Sequence, residues 1–220
     1  MSRFYHGKMD LVIELYEVGV VANDVTLLAP VSVTTRAGRA LIVRGRNGTG
    51  KSTLLRVLAG VRKPSSGSVH IAGEVVAERD RRFRRRVAAM IGLPPMAPDL
   101  TVLDHITLVA TTWLDDPDEA AALARSVVAE LGLDALMERF PHELSSGQTQ
   151  LFGLALVLAR PFEVLILDEP EQRLDPEHVE SVVRVLRSRR DAGATLVIAT
   201  HSAALAEGVA DQTLSLDAAA

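Results

Sequence analysis

The chain has 220 residues, 48 % of them apolar, with a formal net charge of −4 and no cysteine. Such a length can bury a core without covalent staples, and the absent cysteines exclude disulfides, thiolate zinc sites and thiol nucleophiles. The mildly acidic balance gives no reason to expect a nucleic-acid partner. Only three of the 24 basic residues are lysines, namely Lys8, Lys51 and Lys63. A lysine kept where arginine is the habit asks for a chemical reason.

The first ten residues, MSRFYHGKMD, hold no apolar run of signal-peptide length. The stretches LVIEL, VTLL, VSV and ALIV predict short strands over 9–43, with turns at Ala29-Pro30 and Arg36-Ala37-Gly38. The segment KSTLLRVLAG predicts a helix ending at Gly60, and SGSVHIAGEVV (66–76) a strand pair broken at Gly73. The run ERDRRFRRR (78–86) reads as a solvated arginine face beside a strand. From about residue 100 the texture turns helical: LTVLDHITLVATTWL, then DEAAALARSVVAELG with Gly132 as its stop. After Pro141 the polar LSSGQ opens an apolar helix. The longest apolar run, Leu151–Ala159, is about half a membrane span. Strand VLIL, helix PEHVESVVRVLRSRRDAG, strand ATLVIAT and a short tail complete the chain. Alternating strands and helices there imply βαβ units and a parallel sheet.

Two motifs carry chemistry. The strand ALIVRG runs into GRNGTGKST, which fits G-x-x-x-x-G-K-[ST] from Gly45 to Ser52. Glycines let backbone N–H groups curl around phosphate oxygens, and the following helix adds its positive N-terminal dipole end. Lys51 supplies a flexible point charge for the β- and γ-phosphates, and the Ser52 hydroxyl can ligate Mg²⁺. The second motif is VLIL-Asp168-Glu169, an apolar strand ending in two acids. Asp168 is expected to face the metal. Glu169, pointing to the other side of the strand, is expected to face an attacking water as general base.

GRNGTGKST, LSSGQ, VLILDEP, RLD and His201 after LVIAT occur in that order. In this the chain resembles the nucleotide-binding subunit of ATP-binding cassette (ABC) transporters over essentially its whole length. The resemblance implies an α/β fold of the P-loop NTPase kind. Its parts would be a RecA-like, mostly parallel sheet core, an N-terminal antiparallel β subdomain, and a helical subdomain carrying the signature loop. As one ABC ATPase domain over 1–220, the core would take about 9–91 and 150–220 and the helical part about 96–149. It implies a transport-coupled ATPase, turning ATP and water into ADP and phosphate, with ATP and Mg²⁺ as cofactors. Walker A would comprise Gly45, Arg46, Asn47, Gly48, Thr49, Gly50, Lys51, Ser52 and Thr53. Lys51, Glu169 and His201 would be catalytic, and Ser52 and Asp168 would hold the metal. Ser145, Ser146, Gly147, Gln148 and Asp175 would meet the ATP of a second ABC ATPase subunit, most simply a homodimer formed on ATP binding. A separate transmembrane permease would be the other partner, holding the chain at the cytoplasmic face of the membrane.

The pattern is incomplete in places. Where the family carries a metal-touching glutamine, the best match is Pro95, and VGVVAND (18–24) lacks an adenine-stacking ring, leaving Val21 as an apolar substitute and Tyr16 out of register. The signature reads LSSGQ, where LSGGQ is commonest in the family. Glu171-Gln172-Arg173 is bulkier and more polar than the family habit. Apart from His201, the histidines (His6, His70, His105, His142 and His178) show no ligand spacing and read as surface or structural. The alternatives are a soluble ABC-type ATPase of DNA repair or translation, and an ATP-dependent clamp with little turnover. Neither a coiled-coil insert nor a second cassette favours the first, and the intact catalytic set opposes the second.

Overall fold

A computed structural model of the chain describes residues 11–77 and 79–216. The N-terminal ten residues, including His6 and Lys8, and Glu78 lie outside the described residues. In chain order the first elements are β1 (Leu11–Ala22), β2 (Val25–Arg36), β3 (Ala40–Arg44), α1 (Lys51–Leu58), β4 (Ser66–Ile71) and β5 (Glu74–Val75). Next come α2 (Arg81–Arg86), β6 (Val87–Met90), α3 (Val102–Thr111), α4 (Pro117–Glu130) and α5 (Ser146–Leu158). The last are β7 (Val164–Asp168), α6 (Pro176–Asp191), β8 (Thr195–Ala199), α7 (Ala203–Val209) and β9 (Gln212–Ser215).

The strands form two sheets. One is antiparallel, in the order β2-β1-β4-β5; the other has five strands in the order β6-β7-β8-β3-β9, all parallel. Residues of β7 alternate between two cores: Val164 and Ile166 pack toward α1 and the antiparallel sheet, Leu165 and Leu167 toward α3–α7. Burial on both faces is why β3, β7 and β8 read as unbroken apolar runs. The parallel sheet is thus the middle layer, with its apolar surface covered on both sides.

Two expectations about local structure are corrected. No turn forms at Ala29-Pro30: VTLL and VSV are one strand, β2, and the reversal lies at Asn23-Asp24, with φ of 49° and 60°. Paired left-handed residues match the twist of a two-residue hairpin. β2 is an edge strand, so Pro30 sits in it without depriving the sheet of a donor. The short tail also holds more than expected, for β9 adds a fifth parallel strand beside β3. Its four residues, QTLS, are largely exposed and carry no apolar run to signal a strand.

The helices begin and end where their capping chemistry dictates. Thr101 and Asp104 form a reciprocal capping box on α3, Asp116 with Pro117 opens α4, and Gly132 (φ 66°) follows its end. The arginine run is the short helix α2, with Phe83 buried and the arginines outward.

Candidate functional site

Parallel strands expose their C-terminal ends along one edge, and three of those ends carry the motifs. Ala199 of β8 is in register with Val43 of β3 on one side and Asp168 of β7 on the other. Neighbouring strands lie about 4.8 Å apart. The phosphate loop, the paired acids and His201 therefore leave the sheet side by side at one level.

The loop between β3 and α1 is built on glycine. Gly48 and Gly50 have φ of 86° and 96°, values that L-residues avoid. A Cβ on Gly45 would fall 2.5 Å from Thr49 Oγ1 and 2.7 Å from Leu216 O. Thr49 is buried and donates to Arg46 O at 2.9 Å, closing the loop from within. Lys51, only 6 % exposed, donates from Nζ to Gly45 O at 2.8 Å and Arg46 O at 3.2 Å. The ammonium is thus held inside the loop's own curve at the start of α1. Arg46, Asn47 and His201 line an open recess above it, of about 440 Å³. A larger cavity of about 860 Å³ lies along α6 and α7, lined by Val179, Val183 and Ala204, and touches neither the loop nor the acids.

Glu169 departs from the expected alternation. β7 ends at Asp168, and Glu169 adopts a left-handed φ of 49°, so the turn and not the strand pleat directs its side chain. A left-handed glutamate costs about 1–2 kcal/mol and is held in place by two hydrogen bonds. Its N–H donates to Ala199 O at 2.8 Å, and its carbonyl accepts from Gln150 Nε2 at 3.0 Å. The result brings Glu169 Oε1 to 3.4 Å from His201 Nε2, with His201 half exposed. The strand therefore ends before Pro170 is reached.

Gln150 is the residue that sequence reasoning missed. It is 6 % exposed and also donates to Pro170 O at 3.3 Å, tying the second turn of α5 to the acidic turn. Its only signal is an amide, the second after Gln148, at the last polar position before the helix turns apolar.

The signature residues occupy the other end of that tie. Ser145 caps α5, its Oγ accepting from Gln148 N while Gln148 Oε1 accepts from Ser145 N. The side-chain hydrogen bonds of Ser145 and Gln148 are local to this cap and do not join the phosphate loop. Gly147 lies so close to Arg173 O that a Cβ would meet it at 2.8 Å. Asp175 caps α6 in its own chain, accepting from His178 N at 2.9 Å and from His178 Nδ1 at 2.8 Å. The His178 N–H, and then its ring, hold the Asp175 carboxyl below the usual carboxylate range. Ser52 stands at the second position of α1 and is partly buried.

The remaining singled-out residues lie apart from this edge. Pro95 is exposed on the segment after β6, where Ala97 N donates to the buried His105 Nε2 at 2.9 Å. His105 Nδ1 meets Thr101 O at 2.8 Å, so that histidine holds a loop. Tyr16 is 70 % exposed on β1 and Val21 51 % exposed near the hairpin.

The donor set suits a triphosphate with a divalent cation: a cradle that a Cβ would fill, a buried ammonium, and hydroxyl and carboxylate oxygens on adjacent elements. Residues 28–172 match the family model described as ABC transporter. The methionine import ATP-binding protein MetN of Cupriavidus necator is 34 % identical over 202 residues, which are 90 % of this chain and 59 % of that protein. The chain therefore spans about 59 % of that relative's length. The glutamine transport ATP-binding protein GlnQ of Geobacillus stearothermophilus is 30 % identical over 93 % of this chain and 86 % of its own. A solved ATP-binding subunit of an ABC transporter superposes with a TM-score of 0.83 at 25 % identity, covering 95 % of this chain and 88 % of that one. By family model, relatives and fold alike, the chain belongs to the ABC transporter family, as a nucleotide-binding domain.

Proposed function

We propose that this chain is the ATP-binding subunit of an ABC transporter. It binds and hydrolyses MgATP at the interface of a dimer and drives transport through a separate membrane subunit. The observation that carries the reading is the pairing of Glu169 with His201 on the strand edge that also presents Lys51. The chain would lie at the cytoplasmic face of the membrane through its permease. No helix among the described residues is long and apolar enough to cross a membrane.

The residues divide the work by chemistry. The phosphate loop offers backbone N–H groups and the start of α1, and Lys51 exchanges its two carbonyl acceptors for β- and γ-phosphate oxygens. Ser52 and Asp168 would hold Mg²⁺, which when bound supplies charge neutralisation at those oxygens. Glu169 takes the proton of the attacking water, and His201 steadies its carboxylate from the recess side. Across the dimer, the first amides of α5 at Ser146 and Gly147 would face the partner's phosphates, with Ser145 already engaged as the cap. Asp175 would lie in the subunit-crossing loop. Pro95 offers no side-chain donor or acceptor, so no glutamine contact reaches the metal from that position. We place the helical lobe at about 96–149 and the core at about 9–91 and 150–220.

Glu169→Gln tests the reading. The variant is expected to bind ATP, lose roughly 10²–10⁴-fold in turnover, and accumulate as a dimer by size-exclusion chromatography with ATP. Wild-type hydrolysis in that variant overturns the assignment of the base.

A further inference from the structure

The residues between Pro170 and α6 are unusually large and polar for a loop expected to cross a dimer interface, yet two of them reach back into their own active site. Glu171 Oε1 accepts from Thr200 Oγ1 and from Ser202 N at 3.3 Å, gripping the chain on both sides of His201. Ser202 N also donates to Thr200 Oγ1 at 2.9 Å. Gln172 Nε2 donates to Glu169 Oε2 at 3.2 Å, and its N–H to Glu169 O at 3.0 Å. With Glu169 Oε1 facing His201, the contacts close a ring: Glu169, His201, the loop Thr200–Ser202, Glu171, Gln172, and Glu169 again.

A solvated acidic turn would not look like this. Thr200 is 1 % exposed, and the second carboxylate oxygen of Glu171, Oε2, is sealed from solvent with no hydrogen-bond partner among the described residues. Leaving such an oxygen unpaired opposes folding, so the side chain is retained against a cost. Its geometry explains why. Only a long side chain spans from the turn to loop 200–202, and one carboxylate oxygen has lone pairs for both donors. A serine or threonine at this position would be too short to hold both sides of His201.

We infer that Glu171 is a positioning residue that sets His201 against Glu169, an inference that rests on reading those two as the reacting pair. Gln172 fixes the same pair from the glutamate side. The test combines ATP titrations on the purified chain with the ring Cε1–Hε1 NMR signal of His201, assigned by its loss in His201→Ala. Glu171→Ala should lower kcat about 10-fold with KM within about twofold and move the His201 signal. Glu171→Gln keeps the accepting oxygen and should restore both. In a His201→Ala background, Glu171→Ala should cost less than about twofold more, because the two act as a unit. If Glu171→Ala does not fold, Thr200→Val, which removes the hydroxyl half of the same grip, is read in its place. An unmoved His201 signal in Glu171→Ala, multiplicative losses, or a Gln variant as impaired as the Ala variant each overturn the inference. His201→Ala hydrolysing ATP like the wild type instead removes the reacting-pair reading beneath it, whatever Glu171 does.

Discussion

Lys51 shows how one residue can be legible in sequence while its state is not. Its place after Gly-Thr-Gly announced a phosphate ligand, and the fold shows the ammonium already bound to the carbonyls of Gly45 and Arg46. Those carbonyls keep a nearly buried cation satisfied, and in the proposed function phosphate oxygens would replace them. Lys51→Ala is expected to weaken ATP binding by about 10–100-fold, the worth of one or two charge-assisted hydrogen bonds, as measured by titration with a fluorescent ATP analogue. Unchanged affinity would overturn the role. Glu169 shows the opposite case. The alternation rule for strands directed its side chain opposite to Asp168, but β7 ends at Asp168 and the rule stops applying at Glu169 itself, where φ turns positive. Its orientation comes from Gln150, His201 and Gln172, none of them adjacent in sequence.

At the scale of elements, α5 joins two parts of the proposed machine. Its capped end carries the signature residues, and one turn further on Gln150 grips the backbone of Glu169 and Pro170. These two hydrogen bonds tie α5 to the acidic turn of the same chain. Gln150→Leu keeps the bulk but removes a donor from two carbonyls, leaving Glu169 O with the Gln172 N–H and Pro170 O with no donor among the described residues, at a cost of about 1–3 kcal/mol. A thermal melt should show the midpoint falling by about 2–4 °C per kcal/mol, and ATPase assays a reduced kcat. An unchanged midpoint and rate would show the tie to be idle. The two strands that depart from their local sequence signals share a reason. Pro30 in β2 and the polar QTLS of β9 contradict strand signals, and both are tolerated because they occupy the edges of their sheets.

At the scale of the whole molecule, several surface carboxylates act in concert on stability. Thr101 Oγ1 and then its N–H hold Asp104 low, the Phe140 N–H and then Arg139 hold Glu143 low, and His178 holds Asp175 low. The folded state therefore binds protons less readily than the unfolded chain. Their contribution is complete above the unfolded carboxylate range near pH 4 and is lost as pH falls through the lower folded values. Melting temperature should consequently hold steady above about pH 5 and drop on acidification. Asp175→Asn should reduce that acid-side slope. A slope unchanged by that variant would remove Asp175 from the set.

The sequence by itself determined the family, the α/β class and the order of the motifs. Each of these depends on local rules: glycine at a phosphate cradle, apolar runs for strands buried on both faces, and polar caps before helices. Tertiary structure decided the contacts that make the edge a site. Glu169 meets His201, Gln150 reaches the acidic turn, and Glu171 grips Thr200 and Ser202 across about 30 residues of chain. Such contacts follow from strand order and register, which bring β7 and β3 to either side of β8. No local pattern encodes that arrangement, because it arises only when distant segments bury their apolar faces together.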